Sequence, residues 1–120
     1  MSDRPRRGWI APLLLAGAAF AGLQFWQGHQ QRALGERLAA AAQPGDIVML
    51  SSDHCVYCEA ARRWFVKHRV SFDECFIERD AACAESYRAQ GAPGTPTLLV
   101  RGERQLGFDA QRVALALEAR

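Results

Sequence analysis

From Gly8 to Gln31 the chain contains no aspartate, glutamate, lysine or arginine. A buried core helix could be so uniformly uncharged, but 120 residues make one small domain, which has no room to surround such a helix on every side. The rest of the chain lacks net charge. Beyond residue 31 the basic and acidic residues are equal in number. With no basic footprint, a nucleic-acid partner is not expected. There is no glycine-rich phosphate loop and no internal repeat. Cysteine is scarce, at four residues, so the position of each one carries weight.

The uncharged segment is apolar from Trp9 to Trp26 apart from Gln24. As a helix it spans about 27 Å at about 1.5 Å per residue, close to the roughly 30 Å of a bilayer core. Trp9 and Trp26 bracket it where interfacial aromatics are favoured, and Arg4, Arg6 and Arg7 precede it. The positive-inside bias then puts the N-terminus in the cytoplasm and everything after Gln27 outside. The expected organisation is a basic cytoplasmic tail at 1–7, a transmembrane helix at 8–27, a helical stalk or linker at 28–45 and a folded domain at 46–120. A cleaved signal peptide is the alternative, with "AFA" at Ala19 to Ala21 and a cut before Gly22, although the apolar stretch continues past that point to Phe25 and Trp26. Either reading delivers the domain outside the cytoplasmic membrane. The expected location is the inner membrane, single-pass, with the C-terminal domain in the periplasm.

Pro44 and Gly45 close the stalk, and the pattern then alternates. Asp46 to Ser51 reads as a strand. From Cys55 to His68, Ala61, Trp64, Phe65 and His68 recur at helical spacing. Val70 to Glu78 reads as a second strand, with Cys75 and Ile77 pointing inward. Asp80 caps a helix to about Gln90, which Gly91 ends. "TPTLLVRG" is a third strand and "RQLGF" a fourth, joined by a turn at Gly102 and Glu103. Asp109 caps a last helix whose apolar surface comes from Val113, Leu115 and Leu117. The order β-α-β-α-β-β-α predicts an α/β domain with a four-stranded mixed sheet and helices on both faces. The first three strands are expected to be parallel because helices connect them, and the last two to form an antiparallel hairpin. The thioredoxin fold has this topology.

"CVYC", Cys55 to Cys58, sits where the first strand hands over to the first helix of that domain. The unpaired N–H groups and dipole at a helix N-terminus stabilise a thiolate, which makes Cys55 the nucleophile. Cys58, one turn on, can attack the mixed disulfide and release the substrate. A zinc site would need all four cysteines, and Cys75 and Cys83 do not form a second closely spaced pair, so no metal is expected. A purely structural bond between Cys55 and Cys58 would close almost no loop. Cys75 on the second strand and Cys83 in the first turn of the next helix are candidates for a structural disulfide. The competing reading is two small buried thiols. Thr95-Pro96 opens the third strand, where a cis bond would leave the Thr95 backbone free to pair with an incoming chain. Gly107 would let another backbone approach.

With these residues in place the chain resembles the glutaredoxin family. "CVYC" is similar to the family's C-P-Y-C, with Tyr57 kept, and "TPTLLVRGERQLGFD", Thr95 to Asp109, to its T-V-P-T strand, turn and G-F-D segment. The resemblance covers residues 46 to 120. It implies a thiol-disulfide oxidoreductase with a thioredoxin-like fold and Cys55 and Cys58 as catalytic residues. Tyr57, Thr95, Pro96, Gly107 and Asp109 become candidate substrate contacts, with no resident cofactor and glutathione a candidate co-substrate. Val56 stands where the family usually has proline, and Ser52 where many members carry a glutathione-binding lysine. Those departures turn the expectation toward protein substrates that carry disulfides or dithiols. The alternative is a non-catalytic domain of the same fold, tethered to the membrane as an adaptor or using the two thiolates to hold a soft metal.

Overall fold

The computed structural model describes residues 7–119. Arg4 and Arg6, on which the expected orientation rests, lie outside the described residues. The chain divides into two compact units, residues 1–32 and 33–120.

Helix α1 spans Arg7–Ala41. Its part in the first unit exposes Trp9, Leu13, Leu14, Leu15, Phe20, Phe25 and Trp26. Among the described residues, α1 is the one helix long and apolar enough to cross a membrane.

The second unit begins within α1. After the turn at Pro44 and Gly45 come β1 (Ile47–Ser51), α2 (Val56–Lys67), β2 (Asp73–Phe76), α3 (Ala81–Ala89), β3 (Thr97–Val100), β4 (Glu103–Leu106) and α4 (Ala110–Glu118). The sheet order is β2-β1-β3-β4. β1 and β2 are parallel, as a helical crossover requires, with Leu50 beside Cys75. β3 runs antiparallel to β1, with Thr97 beside Leu50 and Val100 beside Ile47. This reverses the parallel direction expected for β3. The reason lies in α3, which does not carry the chain back to the other end of the sheet. It links the end of β2 to a start of β3 at the same end, so β3 runs the opposite way.

The two faces follow the period-2 alternation of β1. Ile47 and Met49 join Leu98 and Val100 in the main core, against Ala61 and Phe65 of α2 and Val113, Ala114 and Leu117 of α4. Leu50 points to the opposite face and is also buried. Its neighbour Cys75 is bonded there to Cys83 of α3, with Cα atoms 6.0 Å apart. Helices therefore cover both faces. Leu38 and Ala42 are buried in the main core beside half-buried Leu34. Leu34, Leu38 and Ala42 lie one turn apart each, so the end of α1 is a core element of this unit, where the sequence reading had a stalk.

Other boundaries shift for local reasons. α2 ends in a Schellman-type turn: Arg69 is left-handed at φ 57°, and the Val70 N–H donates to the Phe65 carbonyl at 3.0 Å. Val70 thus belongs to the helix end, and β2 shrinks to four residues. Ile77 lies past β2 and is half-buried rather than core. The β3–β4 hairpin turns at Arg101 (φ 49°) and Gly102 (φ 84°), one residue earlier than expected. Both residues have the positive φ that a two-residue hairpin turn demands. In α4, Leu115 is 59% exposed, and Ala110, Ala114 and Ala116 take part in the core instead. Val113, Leu115 and Leu117 are spaced by two, so a 3.6-residue helix cannot put all three on one face.

The Cys75–Cys83 bond closes a loop of sequence separation 8. Replacing both cysteines with alanine should lower unfolding free energy by about 2–3 kcal/mol through the freed unfolded chain. Urea titration checks this. A loss under about 0.5 kcal/mol, the scatter of neutral substitutions, would mean that the bond is not formed in solution.

Candidate functional site

Cys55 is the N-cap of α2. Its extended backbone (φ −134°, ψ 101°) turns the Sγ back over the first helical turn, where it accepts from the Cys58 N–H at 3.1 Å. A sulfur at this position faces the unpaired N–H groups of the helix start. Cys55 is half-buried and Cys58 fully buried. The two sulfurs are bonded, with Cα atoms 5.2 Å apart. Val56 and Tyr57, between them, are 69% and 73% exposed.

The loop before Cys55 is held by charge. Ser52 donates its hydroxyl to the Glu78 carboxylate, the Asp53 N–H donates to the same group at 3.1 Å, and Arg79 pairs with Asp53. The Ser52 hydroxyl bond is the main cause that holds the Glu78 carboxyl below its usual value. Residues 52–53 are thereby tied to the turn that follows β2.

A second polar cluster lies where β1, β2 and α2 meet. Glu74 accepts from Arg62 Nε and Nη2, both at 2.7 Å, and from the Ser51 hydroxyl at 2.6 Å. Burial pushes the Glu74 carboxyl up, but the bonds from Arg62 and Ser51 and the charges of Arg62 and Arg79 outweigh it and leave it below the usual value. A lowered folded-state pKa contributes stability that is present above the unfolded value, about 4.3, and is lost as pH falls through the folded one. Glu74→Gln should therefore cost about 1–3 kcal/mol at pH 7. The gap to the parent protein should narrow as pH drops below about 4. Denaturation at pH 7 and pH 3 checks this, and a constant gap would refute it.

A groove of about 480 Å³ lies between the start of α2 and the β3–β4 end of the sheet; Cys55 and Cys58 do not line it, but Tyr57, between them in sequence, does. Of the residues expected at the site, Tyr57, Thr95, Pro96 and Gly107 all line it. Thr95-Pro96 is a cis peptide. The Gly107 N–H donates to the Pro96 carbonyl at 2.8 Å, which holds the end of β4 against that turn. Gly107 has φ 73° and open space where a side chain would be, so its backbone conformation is what calls for glycine. Asp109 is not in the lining. Its carboxylate caps α4, accepting from the N–H groups of Gln111 and Arg112 at 2.9 and 3.2 Å.

The sequence gives no site role to Ala60, Ala61, Trp64, Leu106 and Phe108, which complete the groove. Tyr57, Ala60, Ala61 and Trp64 repeat at i, i+3, i+4 and i+7, so the helical face was findable from the sequence. The Phe108 ring lies tilted at 5.2 Å from Trp64 and edge-on at 4.8 Å from Phe65, contacts between residues far apart in sequence that only the packed fold brings together.

Residues 47–105 match the family model described as Glutaredoxin. No curated protein matches the chain. Among solved structures, a mutant of a thioredoxin-like protein superposes with a TM-score of 0.55 at 21% identity, over 62% of this chain and 96% of that one. The glutaredoxin from Methanosarcina mazei Go1 gives 0.51 at 20% identity, over 61% and 78%. Methanoredoxin from Methanosarcina acetivorans gives 0.51 at 20%, over 63% and 87%. At these identities the likeness is one of fold.

Proposed function

We propose, with a glutaredoxin-like domain as the premise, that this protein is a membrane-tethered thiol-disulfide oxidoreductase working in the periplasm. The observation that carries the reading is the unequal burial of a cysteine pair at a helix N-terminus: Cys55 is reachable and Cys58 is not. In the reduced form the Cys55 thiolate attacks one sulfur of a substrate disulfide. That S–S bond breaks, a mixed disulfide forms, and the other substrate sulfur leaves as a thiolate that takes up a proton. Cys58 then loses its proton and attacks Cys55, releasing the second substrate sulfur. Two electrons pass to the substrate, and Cys55–Cys58 becomes a disulfide. The reverse sequence oxidises a substrate dithiol. Reduction potential against the recycling partner, itself a dithiol or a disulfide, sets the direction.

The apolar first unit supports the tether, and the arginines ahead of it support an external domain. The disulfide between Cys75 and Cys83 suits an oxidising compartment. Tyr57, Thr95, Pro96 and Gly107 serve as substrate contacts, and Asp109 acts through α4. Glutathione and disulfide-bearing proteins are the two candidate substrate types.

Alkylation tests the reading. In reduced protein at pH 6, Cys55 should react at least about tenfold faster than Cys58, since thiolate fraction and exposure both favour it. A membrane-impermeant reagent should label Cys55 in spheroplasts without lysis. Equal rates would refute the assignment of nucleophile, and labelling only after lysis would refute the location.

A further inference from the structure

We propose that the groove beside Cys55 selects disulfides flanked by an apolar residue in a polypeptide, disfavours glutathione, and owes this preference to Leu106. The proposal rests on the exchange reaction above and names its substrate class.

The lining carries no aspartate, glutamate, lysine, arginine or histidine. Trp64, Phe108, Leu106 and the two alanines of α2 form a largely apolar wall, and the polar side-chain atoms of the lining, on Thr95, Tyr57 and Trp64, are all uncharged at neutral pH. Exposed Val56 and Tyr57 carry the apolar surface up to the cysteine pair itself. Glutathione bears two carboxylates and an ammonium at neutral pH. Seated here, these groups would give up water with no opposite charge in the wall to replace it. Two charged residues that follow the groove segment Leu106–Phe108 in sequence are already engaged. Asp109 caps α4, and Arg112 donates to the Leu106 carbonyl at 2.9 Å and lies 3.8 Å from Asp109. An apolar side chain next to a substrate cysteine loses nothing on entry and gains the burial of its surface.

Leu106 is the residue that the fold itself does not need at this place. It pairs with Thr97 at the end of β4, so its backbone is set by the sheet and by the Gly107 bond to Pro96. Its side chain nevertheless remains 49% exposed on the groove wall. Changing it should alter what the groove accepts without unfolding the domain.

The test uses the reduced full chain in nanodiscs, in single turnover, so that Cys55 and Cys58 supply both electrons. Three probes are compared: a peptide disulfide with leucine and phenylalanine beside the cysteines, the same peptide with lysine and glutamate there, and glutathione disulfide. The apolar peptide should react about tenfold or more faster than either of the others, the size of effect that one apolar contact gives a pocket. Leu106→Lys should shrink that ratio by about tenfold and Leu106→Ala by less, with thermal stability unchanged. Equal rates across the probes, faster reaction with glutathione disulfide, or an unchanged ratio in Leu106→Lys would overturn the preference. No exchange with any probe would overturn the oxidoreductase reading itself, and the preference with it.

Discussion

Cys55→Ser should abolish exchange, lowering the rate on a model disulfide by on the order of a thousandfold or more. A serine hydroxyl stays protonated at neutral pH, and the N-cap position cannot ionise it as it can a thiol. Cys58→Ser should behave differently. The first attack needs only Cys55, so this variant should still consume one disulfide. With no resolving thiol it should stop as a mixed disulfide, visible by mass spectrometry of non-reduced protein. The two variants together separate enzyme from metal carrier. In a site that merely holds a soft metal through two thiolates, either substitution would remove one ligand, and the two would be equivalent. Equivalence of Cys55→Ser and Cys58→Ser in turnover and trapping would therefore sink the catalytic reading. Among the described residues no group of three metal-ligating side chains comes together, and all four cysteines are paired as disulfides.

Much of this site was legible in the sequence because its signals are local. A C-x-x-C at a strand-to-helix junction places its own first cysteine as the N-cap, and Asp80 and Asp109 cap the helices that they precede in the sequence. Pro96 and Gly107 stand out for a similar reason, since each marks a backbone position, a cis X-Pro bond and a positive φ, that few residues can occupy. The direction of β3 was not legible in this way. It depends on which end of the sheet α3 returns to, and no single residue encodes that. The groove wall was half legible: Trp64 shares a helical face with Tyr57, whereas Leu106 and Phe108 reach the groove only through sheet pairing and the packing of α4. Glu74 carries no signal of its own in the sequence. Its role needs Ser51 and Arg62 from two other elements, which only the register of β1 on β2 supplies.

Leu38→Ala should destabilise the domain by about 2–5 kcal/mol, the cost of a buried leucine lost from a packed core. Leu34 and Leu38 stand at helical spacing in the sequence, but they sit in a polar, alanine-rich stretch between a membrane-length segment and the Pro-Gly turn. That setting favours a stalk. Three features of the second unit contradict that. Leu38 is fully buried beside Ala42, Gly35 lies so close against His68 that a side chain there would collide with the ring, and Arg37 reaches Glu118 of α4 at 2.5 Å. The ion pair is exposed and contributes little. The apolar contact is the one with energetic weight. A linker residue would behave otherwise, since truncating it should change stability by no more than about 0.5 kcal/mol. Leu115→Ala supplies the internal comparison, because Leu115 is the same residue type in the same unit but 59% exposed, and it should fall within that small range. Urea midpoints of the two variants, at unchanged m-value, decide between the readings. Equal and small shifts for Leu38 and Leu115 would return the end of α1 to the linker, and a domain cut at residue 46 should then fold as well as the full chain. A large shift for Leu38 alone means that the folded unit begins inside the helix that carries the long apolar segment.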